Sequence, residues 1–105
     1  MGEVMALHDP LNYRRVLLRI KKLWDEGSVV VLPHAQTQMQ ARGLDLLDVQ
    51  HVIRYGRITD HSRPGELWRY KVAGMAVDGG SAACVVEVDG QLFIVTVIGG
   101  RRRTR

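Results

Sequence analysis

The sequence predicts an α+β domain, with N-terminal helices packed on a three- to four-stranded antiparallel sheet. Three observations predict it. Up to Gly56 the apolar residues recur at helical spacing, whereas beyond it they alternate or run together in short β-branched stretches. The last two of those stretches, "SAACVVEV" and "QLFIVTVI", are joined at Asp89-Gly90, a strong short hairpin signal. At 105 residues the chain can bury one core and not two, so residues 1–105 read as a single domain. About 9–98 should fold, with 1–8 and 99–105 flexible.

The first helix is expected over residues 9 to 26. Asp9 suits the N-cap and Pro10 the first helical position. Tyr13, Val16, Leu17, Ile20, Leu23 and Trp24 then make one apolar face, and Gly27 can close the end. "SVVVLP" reads as a short strand broken by Pro33. A short second helix runs to Gly43, with Ala35 and Met39 as its core contacts. His34, Gln38 and Arg42 recur every fourth residue and form one polar stripe, which faces either solvent or a ligand. Asp45 caps a third helix with Asp48 at its third position, Leu44 can staple onto Val49, and Gly56 ends it.

Next come "RITDH" and "ELWRYKVAGM", separated by the turn "SRPG". Alternation puts Trp68, Tyr70 and Val72 on one strand face and Arg69 and Lys71 on the other. Those two cations should meet solvent, an acid such as Glu87, or a phosphate. "LFIVTVI" is apolar on both faces and reads as a central strand.

Charge is unevenly placed. Arg101, Arg102, Arg103 and Arg105 account for the net charge of +4; without them the chain has eleven basic and eleven acidic residues. A second basic cluster, Arg14, Arg15, Arg19, Lys21 and Lys22, lies on the first helix. This pattern permits local phosphate contacts and argues against broad non-specific nucleic-acid binding. Neither a secretory leader nor a membrane span is legible, and Cys84 is alone, so a cytoplasmic protein is expected.

No metal site emerges from the separate positions of His8, His34, His51 and His61. "VDGGSA" lacks the Lys and Ser or Thr of a phosphate loop and reads as a strand connection. Cys84 and the serines have no adjacent base for nucleophilic acyl chemistry. Acid/base chemistry or plain binding is left, and no cofactor is implied.

The order "HAQTQMQARGLDLLDVQHVIRYGRI", "RYKVAG" and "VVEVDGQLFIVTVI" resembles the small bacterial domain-of-unknown-function family 4258, over roughly residues 30 to 98. That family is considered similar to the RelE, BrnT and MqsR toxins, compact α+β ribonucleases of toxin–antitoxin systems. The resemblance therefore implies a RelE-like fold, a toxin-like metal-independent endoribonuclease, RNA as substrate and a cognate antitoxin as partner. Its motif positions fall on His34, Arg42, Arg69 and Tyr70. His34 would carry the protons, since imidazole titrates near neutrality. Arg42 and Arg69 would hold the scissile phosphate. Tyr70 would stack on a base or donate a proton, Lys71 add charge and Gln38 orient the RNA. On this reading His34, Arg42 and Arg69 converge at the edge between the second helix and the sheet.

The neutral body, and a tail "GGRRRTR" without tyrosine, point away from a ribosome-dependent mechanism and towards a BrnT- or MqsR-like one. The competing reading is a non-catalytic RNA-binding or protein-docking module on the same fold. Under it, Arg42 serves the helix end, Arg69 pairs with Glu87 or Asp60, and Tyr70 belongs to the core.

Overall fold

The structure, a computed structural model, describes residues 11–99. It contains helices α1 (Tyr13–Asp25), α2 (Pro33–Arg42) and α3 (Leu46–Tyr55), with strand β1 (Val29–Val31) between the first two. Strands β2 (Arg57–Ser62), β3 (Arg69–Met75), β4 (Ser81–Val88) and β5 (Leu92–Gly99) follow.

The fold is α+β as expected, but the sheet has five strands and is mixed, in the order β1-β5-β4-β3-β2. Four strands form the antiparallel meander, and the fifth, β1, adds in parallel to β5 through Val29↔Leu92, Val30↔Phe93 and Val31↔Ile94. A three-residue strand carries no signal of its partner, which here lies more than sixty residues further along the chain. β4 therefore takes the centre expected for "LFIVTVI", and β5 stands one strand in from the edge.

Helix α1 starts at Tyr13, after the non-helical Leu11 and Asn12, and ends at Asp25. Its cap is Asn12, whose side chain accepts from the Arg15 backbone N–H at 3.1 Å; Asp9 and Pro10 lie outside the described residues. The expected apolar face is the one that packs, with Ile20 and Leu23 buried and Tyr13, Val16, Leu17 and Trp24 against the core. α2 ends at Gly43 in the left-handed conformation, φ 70°. α3 carries the expected capping box: Asp45 accepts from the Asp48 N–H at 3.1 Å and Asp48 from the Asp45 N–H at 3.0 Å. The second Asp48 oxygen accepts from Val77 N–H at 2.9 Å, so this buried carboxylate also ties the β3–β4 connection to the start of α3.

All three helices pack on one sheet face, where Tyr70, Val72, Cys84, Val86, Ile94 and Val97 are buried. Two bulges set that face. Between Val85↔Thr96 and Val86↔Ile94, β5 has one extra residue, which lets both Ile94 and Val97 point inward. In β2, Thr59 is the extra residue between Ile58↔Val72 and Asp60↔Lys71. α3 approaches β3 unusually closely at Gly56: a Cβ there would stand 2.5 Å from both the Ala73 and Val52 carbonyl oxygens.

The Cys84 thiol is fully enclosed, and burial pushes it up to about 12. It should resist iodoacetamide at pH 8.5 in the native protein and react within minutes in urea, as mass spectrometry would read. Because its pKa is raised in the fold, its contribution to stability is intact below the unfolded value of 9.0 and declines as pH rises towards 12. Gly56→Ala should cost about 1–3 kcal/mol, since only backbone could yield, lowering the urea midpoint at unchanged m.

Candidate functional site

The stripe on α2 is only partly a solvent face: His34 and Arg42 are exposed, but Gln38 and Arg42 are bonded to the backbone of β5. β1 ends at Val31, where the Leu32 N–H reaches Ile94 O at 3.0 Å, and beyond that point β5 has no strand on its outer side among the described residues. Gln38 Oε1 accepts from Val97 N–H at 2.8 Å and Arg42 donates to Gly99 O at 3.0 Å. The helix thus serves backbone groups along the edge that β1 is too short to cover. His34, first in the stripe, is exposed and has no hydrogen-bond partner among the described residues.

Arg69 lies elsewhere. It is paired in register with Glu87 on the sheet face away from the helices, and Nε donates to Glu87 Oε2 at 2.6 Å with the two side chains 38% and 18% exposed. Lys71 shares that outer face, opposite Asp60 in β2. Gly99, where Arg42 is anchored, aligns through Ala82 with Gly74, five residues along β3 from Arg69. That separates the two sites by about 17 Å along the strands and two strand spacings, roughly 10 Å, across them. The structure brings His34, Gln38 and Arg42 onto one helix and leaves Arg69 and Lys71 on the far side of the sheet. The expected convergence of His34, Arg42 and Arg69 does not form.

A different group of residues does converge. Between α1 and the β3 and β4 ends of the sheet lies a cavity of about 600 Å³. Arg15, Val16 and Arg19 of α1 form one wall, Trp68 and Tyr70 the floor, and Glu66, Asp89 and Gly90 the loop side. Tyr70, one of the expected site residues, is buried yet lines this cavity. Beside it stands a ring cluster: the Tyr13 hydroxyl and His61 Nδ1 share a hydrogen bond of 2.6 Å, and the His61 ring lies 5.5 Å from Trp68. Tyr13 meets Tyr70 edge-on at 6.4 Å, and Arg63 covers Trp68 at 5.5 Å.

This arrangement combines cations, a stackable indole and an imidazole held by one nitrogen, with Nε2 left without a protein partner among the described residues. Sequence reasoning missed His61 because strict alternation from the inward Ile58 would turn it outward. The bulge at Thr59 reverses that, placing His61 beside the inward Tyr70. Among the described residues no three His, Cys, Asp or Glu side chains gather as a metal site, and no helix is long and apolar enough to cross a membrane.

Fold and site together define a small α+β domain with an aromatic groove lined by both arginines and acids. Its family follows from the sequence match: the chain belongs to the family described as Domain of unknown function (DUF4258), whose model covers residues 31–98. That span holds β2, β3, β4 and nearly all of β5 but only the last residue of β1, while α1, with Tyr13, Arg15 and Arg19, lies before it. Neither a curated protein nor a solved structure matches the chain.

If the stripe is structural, Gln38→Leu should expose its cost at one atom. We expect the Val97 amide to lose hydrogen-exchange protection and stability to fall by about 1–3 kcal/mol, the penalty of an unpaired buried donor. Arg42→Ala, at an exposed bond, should cost less than about 1 kcal/mol by the same urea titration.

Proposed function

We propose that this chain is a toxin-like, metal-independent endoribonuclease, with the RNA strand lying in the groove between α1 and β3. The observation that carries the reading is the meeting of Arg15 and Arg19 with Trp68 around one cavity, with the Tyr13–His61 pair standing beside it against Trp68. Guanidinium groups hold phosphates and an indole stacks on any base, the usual means of gripping unpaired RNA. The RelE-, BrnT- or MqsR-like relationship of the fold belongs to the same proposal, as does a cognate antitoxin whose acidic segment would mask the α1 cations.

In this reading the 2′-hydroxyl attacks the adjacent phosphorus, and its proton passes to Nε2 of His61. Tyr13 holds the ring through Nδ1 and so acts as a positioning residue. The 5′-oxygen departs with a proton from water, leaving a 2′,3′-cyclic phosphate. Arg15 and Arg19 offset the charge that grows on the phosphorane. His34 keeps its chemical fitness for proton transfer but stands apart from these groups.

A second reading, the non-catalytic docking or RNA-binding module, is favoured by one observation. Leu46 and Leu47 are 51% and 64% exposed beside a cavity of about 530 Å³ lined also by Val31, Met39 and Leu44.

The test is cleavage of unstructured RNA by the purified chain in EDTA, with products identified by mass. We expect cyclic-phosphate ends, a loss of about 10²–10⁴-fold in His61→Ala, a smaller loss with an altered pH profile in Tyr13→Phe, and little change in His34→Ala. Loss of activity in His34→Ala alone would return the site to α2. Intact RNA at every enzyme concentration would favour the module.

A further inference from the structure

The groove is electrically two-sided. Its helical wall carries Arg15 and Arg19, four residues and so about 6 Å apart along one helix face. Its opposite wall carries the carboxylates of Glu66 and Asp89, from the β2–β3 and β4–β5 connections. Both acidic residues are exposed, and neither carboxylate has a hydrogen-bond or ion-pair partner among the described residues. Phosphates are drawn to the first wall and repelled by the second. A strand entering the groove must therefore run its backbone along α1 and turn its bases towards Trp68 and the two acids.

We propose that the groove selects guanine in an unpaired strand, through Glu66 and Asp89. This rests on the reading of the groove as an RNA site. A carboxylate is an acceptor with two oxygens, and it pairs best with two parallel N–H donors. Guanine is the base whose Watson–Crick edge offers two such donors side by side, N1–H and the 2-amino group. Adenine and cytosine offer one amino donor and place a ring acceptor beside it, which a carboxylate repels; uracil offers one N–H between two carbonyl oxygens. The base plane packs on the indole of Trp68, whose other neighbours are the Arg63 guanidinium and His61. Two arginines set one helical turn apart, about 6 Å along the helix axis, match successive phosphates of an extended strand better than the phosphates of one free nucleotide. A paired guanine, its donor edge already used, is excluded.

The experiment is fluorescence titration of the full chain carrying Trp24→Phe, so that Trp68 reports alone, with 2′-O-methyl pentamers that cannot be cleaved. The probes are UUGUU, UUAUU, UUCUU and UUUUU, with GMP and GDP as free competitors. We expect UUGUU to quench Trp68 and bind about tenfold or more tighter than the other three, the scale of a bidentate base contact. Glu66→Gln with Asp89→Asn should bring the four within about threefold, while leaving UUUUU bound at least as well because two negative charges are gone. Equal binding of all four pentamers by the parent chain, or a guanine preference that survives the double substitution, would overturn the guanine inference alone. GMP or GDP binding as tightly as UUGUU would overturn the strand arrangement. No quenching by any pentamer would overturn the reading of the groove as an RNA site.

Discussion

Strand β5 has eight residues and its outer neighbour β1 has three, so the far half of β5 presents backbone groups to no strand. A buried N–H left without a partner costs a good part of what a small domain has to spare. The chain meets this with a helix. Pro33 stops β1, starts α2, and turns the next ten residues along the open edge, where Gln38 and Arg42 take Val97 N–H and Gly99 O. The same placement sets Ala35 and Met39 in the core and brings Gly43 to the position from which Asp45 can cap α3. A stripe of polar residues that resembles a binding face is, for most of its length, the missing continuation of β1.

That assignment moves the candidate site across the molecule. Arg69 balances Glu87 on the uncapped sheet face, a short, partly buried ion pair whose removal of one partner would strand the other. Groups of α1 and of the β2–β3 and β4–β5 connections are free to meet a ligand together. They gather because α1 crosses the end of the sheet, with Tyr13 against His61 and Tyr70, and Val16 against the core. The balance of charge outside the four arginines at 101, 102, 103 and 105 is no obstacle to a phosphate site of this kind. What matters at short range is the separation of charge across the groove, with arginines on one wall and acids on the other.

The helices and the strand runs follow from local chemistry and were legible: the apolar period of α1, the Asp45–Asp48 capping box, Gly43 and Gly56 as helix ends, and the Asp89–Gly90 hairpin. The outward direction of Arg69 and Lys71, and Glu87 as an available acid, also follow from alternation alone. So does the family, because its signature lies in contiguous segments. The site was legible only in Tyr70 and in the basic cluster of α1.

Tertiary structure decided the rest, for two physical reasons. Strand order depends on pairing across long sequence separations, and three valines cannot announce that they add in parallel to β5. Side-chain direction depends on counting residues from a known inward position, and a bulge adds one to the count. With Thr59 inserted, His61 turns in to Tyr13 and Trp68; without it, Asp60 would take that place. Local sequence therefore determined which residues are chemically able to act, and the packing of α1 over a bulged sheet determined which of them meet.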